Sequence, residues 1–160
     1  MECRIEHSTK KILVGKSCRM SLVQNKTADL WRSFMQNRNL IKNAVGTDRY
    51  SLQIYPPNYF QNFNPKVEFE KWALIQVTNE NEVAEGFSLF YLEEGLYAVF
   101  LYKGKASEGA KAFDYIFRTW FPASDYELDD RPHFEVLGEK YKNEDPDSEE
   151  EIWIPIKKKT

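Results

Sequence analysis

The order of the periodic segments constrains the fold of this chain more than any other feature, because one order occurs twice. Each half carries a strand pattern, a helical pattern with apolar residues at spacings of three and four, and two further strand patterns. The segments are residues 12–23, 26–41, 50–55 and 69–78 in the first half and residues 96–102, 107–120, 134–140 and 150–157 in the second. Two strand–helix–strand–strand repeats predict an α+β fold with antiparallel sheets and pseudo-two-fold symmetry.

The boundary between the repeats is predicted from a polar segment, residues 79–85. It separates a first repeat of about residues 1–79 from a second of about residues 86–160. The length of 160 residues suits one domain built from both. Duplicated units often leave a groove between them, and grooves are common ligand sites. We therefore expect a single domain with a ligand groove between its halves.

Composition and charge narrow the functional class. Hydrophobic residues make up 42% of the chain and aromatic residues 15%, as expected for a globular protein. The net charge of −3 indicates no basic surface for phosphate groups, so we expect no direct contact with nucleic acid. No apolar run reaches the roughly 20 residues of a membrane span, and no secretory signal is recognisable. These observations predict a cytoplasmic protein that does not associate with membranes.

Cysteine and histidine usage gives no sign of a metal or a cofactor. Cys3 and Cys18 form no C-x-x-C pair, and His7 and His133 have no partner at a metal-ligand spacing. We expect neither a metal site nor a cofactor.

Alternation along the strands assigns side chains to faces. In the last strand Trp153 lies opposite the isoleucines of residues 152–156, which we expect to pack under a helix. Trp72 likewise lies opposite a small aliphatic face in its own strand. In the strand before the last, Leu137 shares the face of Glu135, which indicates that this face is not simply exposed to water. We expect the side away from the helices to carry an aromatic surface with one acid, formed by Trp72, Trp153, Glu135, Ser51, Gln53 and Tyr55.

A single acid among aromatic rings suits one kind of ligand. A carboxylate withdrawn from water is costly unless it is paired, and it either takes up a proton or binds a cation. Aromatic faces attract organic cations by about 0.5–2 kcal/mol each. Stacking tolerates many shapes, so such a surface predicts loose selectivity for large, flat cations.

Short motifs in the second half carry a resemblance to a known family. They are Tyr97-Ala98-Val99-Phe100 before Gly104, Trp120-Phe121-Pro122, Ser124-Asp125-Tyr126, Pro132-His133-Phe134-Glu135 and Ile154-Pro155-Ile156. Their order resembles the GyrI-like family, the AraC-type effector-binding fold of bacterial multidrug-responsive regulators, to which integron cassette effector-binding proteins are related. Asp125 replaces the family's glycine, and because Asp tolerates a left-handed conformation we expect the turn to be kept. Leu137 replaces an aromatic residue that often follows the family's acid.

The resemblance implies a pocket for lipophilic cations in which Glu135 is the ligand-facing acid. The family's regulators carry a helix-turn-helix domain, whereas this chain begins almost at once with a strand pattern, so we expect a stand-alone effector-binding protein. A role in transcription would then require a protein partner. The candidate ligand-binding residues are Glu135, Trp72, Trp153, Phe100, Tyr102, Tyr55, Trp31 and Trp120. For the aromatic members the alternative is core packing, above all for Trp31 in its helical stripe.

Three functions remain open at this stage. The first is a binding protein for amphipathic, cationic, drug-like compounds. The second is a hydrolase of reactive drug-like substrates that uses Glu135, since some proteins resembling this family open strained rings. The third is a protein-interaction module like the gyrase inhibitors that give the family its name. Glu139 lies four residues from Glu135 along the strand, about 13 Å away, so we see no second acid beside Glu135 and assign no catalytic residue.

Overall fold

The computed structural model describes residues 1–160, which fall into two compact units. The first unit is residues 10–93, and the second unit is residues 94–160 together with residues 1–9. The strands of the whole chain are β1 (Cys3–Ser8), β2 (Lys11–Met20), β3 (Ala44–Ile54), β4 (Phe69–Val77), β5 (Ser88–Leu92), β6 (Gly95–Lys103), β7 (Tyr126–Leu128), β8 (His133–Leu137) and β9 (Glu149–Lys158). Its helices are α1 (Thr27–Gln36), α2 (Ala110–Tyr115) and α3 (Phe121–Ala123), with a π-helical turn at Ile116–Trp120 and 3-10 turns at Arg38–Leu40 and Ala106–Glu108.

The first unit is an antiparallel sheet of order β3-β4-β2-β5 with α1 on one face. Leu30 and Phe34 lie one turn apart on α1 and are buried against the sheet. They meet a small aliphatic surface that includes Ala73 and Ile75 of β4. The helix therefore packs on the aliphatic face that alternation predicts for β4.

A close approach of two strands fixes the packing of the first unit. Gly15 of β2 pairs with Leu74 of β4, and a Cβ atom at position 15 would overlap the carbonyl oxygen of Ala73. Only glycine fits there without moving the backbone of one strand.

The second unit is an antiparallel sheet of order β1-β6-β9-β8, and β7 pairs with the C-terminal part of β9. Ala112 and Ile116 of the helical segment are buried against Phe100 and Ile152 of the sheet. The isoleucine face of β9 therefore packs under a helix, as predicted.

The α+β class and the antiparallel pairing are confirmed. The compact units meet in sequence after Thr9 and after Glu93. The single domain with repeats of about residues 1–79 and 86–160 stays a prediction. β1 pairs with β6 and therefore belongs to the second unit. The local sequence pattern of β1 does not predict pairing with a strand so distant in the sequence. The pseudo-two-fold symmetry and the groove between the halves stay predictions.

One local difference from the predicted strand bounds has a plain cause. The predicted strand pattern begins at residue 50, whereas β3 begins at Ala44 and includes Gly46, and its pairing with β4 shifts register between Ala44 and Arg49. Gly46 has a φ of 66°, which allows the chain to pass through this irregularity without leaving the sheet. None of the helices has the length and apolar character needed to cross a membrane.

Candidate ligand-binding site

The register of the second unit places the candidate acid in line with a candidate aromatic residue. Glu135 of β8 pairs with Ile152 of β9, and Ile152 pairs with Phe100 of β6. The three residues form a row across adjacent strands and lie on the face that packs against α2. Glu135 and Phe100 are two strands apart, so their Cα atoms are separated by about 10 Å.

Glu135 is half-buried and lies between two buried neighbours on its own strand face. His133 is 5% exposed and Leu137 is 7% exposed. The prediction that this face is not simply exposed to water is therefore confirmed. Burial, with a smaller contribution from the charge of Arg131, lowers the pKa of His133 to about 3, so its imidazole is neutral at physiological pH.

An aromatic cluster packs on Phe100, at the end of the row opposite Glu135. The ring of Trp120 meets Phe100 edge-on, with centroids 5.1 Å apart and an interplanar angle of 87°. Tyr126 lies parallel to Trp120 at 6.3 Å, and Phe121 packs edge-on against Trp120 at 5.1 Å. Trp120 and Tyr126 are only half-buried, so part of this cluster stays accessible. Half-exposed indole and phenol rings can stack on a flat ligand.

The turn after α3 holds these rings in place. The Ser124 hydroxyl accepts a hydrogen bond from the backbone N–H of Tyr126 at 3.1 Å and donates to the carbonyl of Phe121 at 3.0 Å. The turn motif is therefore kept although Asp125 replaces the family's glycine. Asp125 does not have a positive φ, so the left-handed conformation that we invoked for it is not needed.

Tyr102 lies on the same face as Phe100, but its hydroxyl makes a hydrogen bond within the protein. Its hydroxyl donates to the carbonyl of Lys105 at 2.6 Å and closes the turn after β6. Gly104 in that turn has a φ of 146°, and a Cβ atom there would lie 3.0 Å from the Tyr102 hydroxyl. Burial, aided by nearby carboxylates that include Glu150, raises the pKa of Tyr102. Tyr102 thus supports the site from its edge.

A second carboxylate shares the face of Glu135. Glu150 pairs with Tyr102 across β9 and β6, two residues along β9 from Ile152. It is half-buried and stands diagonally from Glu135 across β9 and β8, a relation with a Cα separation of about 7–8 Å. The acid that the sequence offers along the strand of Glu135 is Glu139, whereas the second acid on this face belongs to the neighbouring strand.

Trp153 lies on the opposite face, so the prediction that it shares a face with Glu135 is wrong. It pairs with Phe134 and stacks on that ring at 5.2 Å with an interplanar angle of 17°. Its indole N–H donates to Glu151 at 3.1 Å, and the Arg4 guanidinium lies 5.8 Å from the ring centroid. Alternation in one strand fixes only relative positions, and the register with the next strand decides which residues lie together.

Trp72 repeats this arrangement in the first unit. It lies opposite the aliphatic face that packs on α1, as predicted, and its indole N–H donates to Glu70 at 2.9 Å. Phe90 packs on it at 5.1 Å. Ser51 and Gln53 were predicted on the face of Trp72, but the register with β4 places both on the α1 face.

Trp31 and Tyr55 are engaged within the first unit. Trp31 meets Phe34 edge-on at 5.4 Å, and the Arg49 guanidinium lies 5.9 Å from its ring centroid. Tyr55 packs against Tyr59 at 4.6 Å within an aromatic cluster that also contains Phe60, Phe63 and Phe69. Trp31 therefore already has a cation of the protein beside its ring.

The first unit contains a group of buried polar residues, of which Ser51 and Gln53 were predicted on the surface of Trp72 and Lys71 was not predicted. Lys71 is 5% exposed, Gln53 6% and Ser51 7%. The available signal was that Lys71 alternates with Ala73, Ile75 and Val77 on the small aliphatic face of β4, and a lysine is unusual at a buried strand position.

The comparison with known families gives a match over nearly the whole chain. Residues 1–157 match the model of the GyrI-like small molecule binding domain. The chain belongs to the GyrI-like family. A comparison of its sequence with curated proteins gives no match.

Solved structures of GyrI-like shape support the same fold. SAV2435 bound to tetraphenylphosphonium superposes with a TM-score of 0.72 at 17% identity, over 98% of this chain and 94% of that one. The C-terminal domain of EcmrR gives 0.74 at 14% identity, over 99% and 98%. A hydrolase from Listeria innocua gives 0.64 at 11% identity, over 98% and 92%. At these identities the likeness establishes the fold alone.

Proposed function

We propose that this GyrI-like protein binds amphipathic, cationic, drug-like compounds through the α2 face of its second unit, with Glu135 as the countercharge. The observation that carries the proposal is the row of Glu135, Ile152 and Phe100 with Trp120 packed on Phe100. A half-buried carboxylate beside accessible aromatic rings combines charge attraction with stacking. Trp72 and Trp153 are left out of this site because both are packed on the faces turned away from α1 and α2.

The comparisons support the choice of a cation. SAV2435 has been solved with tetraphenylphosphonium, which is a lipophilic cation. Tetraphenylphosphonium has no hydrogen-bond donor, so its recognition must rest on charge and aromatic contact, which are the two features of the α2 face. The proposed role in regulation follows from the likeness to EcmrR, and we propose that a protein partner reads the bound state.

The decisive experiment is an isothermal titration calorimetry measurement of the affinity of the protein for tetraphenylphosphonium. Glu135→Gln keeps the shape of the side chain and removes its charge, and we expect it to weaken binding about tenfold or more, as expected for a charge-assisted contact. Glu139→Gln is the matched control, because Glu139 is an exposed acid nearby in sequence. Equal affinities of Glu135→Gln and the wild type would refute the assignment of Glu135.

The second carboxylate gives one specific reason to test hydrolysis as well. Glu135 and Glu150 on one face provide the two acidic groups that general acid–base catalysis uses. Incubation of the protein with an epoxide-bearing aromatic substrate and chromatography of the products tests this function. A hydrolase would show turnover that is lost in both Glu135→Gln and Glu150→Gln, whereas a binding protein leaves the compound intact.

A further inference from the structure

The first unit contains a cavity of about 380 Å³. This volume falls within the range of about 300–1,000 Å³ that is typical of small-molecule sites. One wall is residues 40–43, which link the 3-10 turn after α1 to β3, and the other is residues 81–84, which lie between β4 and β5. Val14 of β2, which is 1% exposed, also lines the cavity. The cavity therefore reaches from the surface of the first unit to its core.

Hydrogen bonds hold the two walls together. The backbone N–H of Thr78 donates to the carbonyl of Asn43 at 3.0 Å, and the Asn43 side-chain amide donates to the carbonyl of Asn79 at 3.2 Å. The backbone N–H of Asn81 donates to the side-chain oxygen of Asn79 at 2.9 Å. Walls that are fixed before a ligand arrives lower the cost of ordering the protein on binding.

The apolar part of the lining is aliphatic. Val14, Ile41 and Ala84 pack in or against the core beneath α1. Leu40 and Val83 are 47% and 39% exposed, so an apolar ligand in the cavity removes aliphatic surface from water. No aromatic ring lines the cavity, and stacking therefore contributes nothing to binding there. This lining favours an aliphatic ligand over an aromatic one.

Two opposite charges lie among the lining residues. Lys42 and Glu82 are exposed, and neither side chain forms an ion pair or a hydrogen bond within the protein. A ligand with a single charge meets its own sign on one of these side chains, whereas a zwitterion can pair with both. The side-chain amide of Asn81, which also lacks an internal hydrogen bond, adds a neutral donor and acceptor to the same lining.

We propose that this cavity is a binding site for aliphatic α-amino acids. The aliphatic side chain of the ligand packs against Leu40 and Val83, its carboxylate pairs with Lys42, and its ammonium pairs with Glu82. The site differs from the proposed cation site in the unit that carries it, in its aliphatic lining and in the sign and number of its charges. It does not depend on Glu135.

The test is a titration of the ¹⁵N-labelled protein with L-leucine, followed by the amide resonances of residues 40–43 and 81–84. We expect these resonances to shift with leucine concentration and to give its affinity. Two analogues with the same branched chain carry one charge each, since 4-methylpentanoate lacks the ammonium and 3-methylbutylamine lacks the carboxylate. We expect each to bind at least about threefold more weakly than leucine, as expected for the loss of one exposed ion pair.

Two variants assign the charges. Lys42→Met is expected to remove the advantage of leucine over 3-methylbutylamine and to keep its advantage over 4-methylpentanoate, and Glu82→Gln is expected to do the reverse. Lys26→Met and Glu80→Gln are the matched controls, because both residues are exposed, belong to the first unit and do not line the cavity. All four substitutions are at exposed positions, so we expect thermal unfolding near that of the wild type.

Three results would overturn the proposal. The first is an absence of leucine-dependent shifts at the cavity residues of the wild-type protein. The second is binding of leucine no tighter than that of both single-charge analogues. The third is a pattern of affinities in Lys42→Met and Glu82→Gln that equals the pattern in the two control variants.

Discussion

His133 makes the stability of this protein depend on pH in a way that can be calculated. The side chain is 5% exposed, and burial together with the charge of Arg131 lowers its pKa from 6.5 to about 3. The unfolded chain therefore binds a proton between pH 6.5 and about 3 that the folded chain does not bind. Stability is full above pH 6.5 and falls as the pH drops through this window.

The size of the effect follows from the two pKa values. At pH 7 both states are largely neutral, and the cost is close to zero. At pH 5 the unfolded histidine is almost fully protonated and the folded one is not, which costs about 2 kcal/mol of the free energy of unfolding. A loss of this size is large against the roughly 5–15 kcal/mol of a typical domain.

Urea denaturation at pH 7 and at pH 5 measures this loss. We expect His133→Gln to be less stable than the wild type at pH 7 but to lose about 2 kcal/mol less than the wild type on going to pH 5. His7→Gln serves as the control, because His7 is the other histidine of the chain and is exposed. The reasoning is refuted if His133→Gln and the wild type lose the same free energy between the two pH values.

Three further predictions concern packing and the cation site. Trp120→Leu is expected to weaken tetraphenylphosphonium binding roughly threefold in a calorimetric titration, whereas Trp153→Phe leaves it unchanged because Trp153 lies on the other face of the sheet. Gly15→Ala is expected to destabilise the protein by about 3 kcal/mol in urea denaturation, since the new Cβ atom meets the backbone of β4, and unchanged stability would contradict the close approach. Tyr97→Phe removes the hydrogen bond from the buried hydroxyl to the carbonyl of Pro132 and is expected to cost about 1 kcal/mol, measured in the same way.

The face assignments show where sequence reasoning reaches its limit. Alternation correctly placed Trp72 opposite the aliphatic face of β4 and the isoleucines of β9 under a helix, because both statements concern one strand and the helix that covers it. It failed for Glu135 and Trp153, which lie in different strands. Their relation depends on the pairing of Glu135 with Ile152, and shifting that register by one residue would have made the prediction correct.

The buried lysine has a related explanation. Lys71 of β4 lies beside Gln53 of β3 because of the register between these two strands, which the pattern of either strand by itself does not give. Glu150 escaped notice for the same reason, since it is 15 positions from Glu135 in sequence and a diagonal neighbour across two strands.

The sequence by itself determined the α+β class, the antiparallel strands and helices, the family and the acid on which the cation proposal rests. These depend on local periodicity and on short motifs, which survive without knowledge of the fold. The tertiary structure alone decided that β1 pairs with β6, that Trp153 lies away from Glu135, and that Lys71 and Gln53 are buried side by side. Each of these is set by pairing between distant segments, where the gain from burying apolar surface selects one register out of many that local patterns allow.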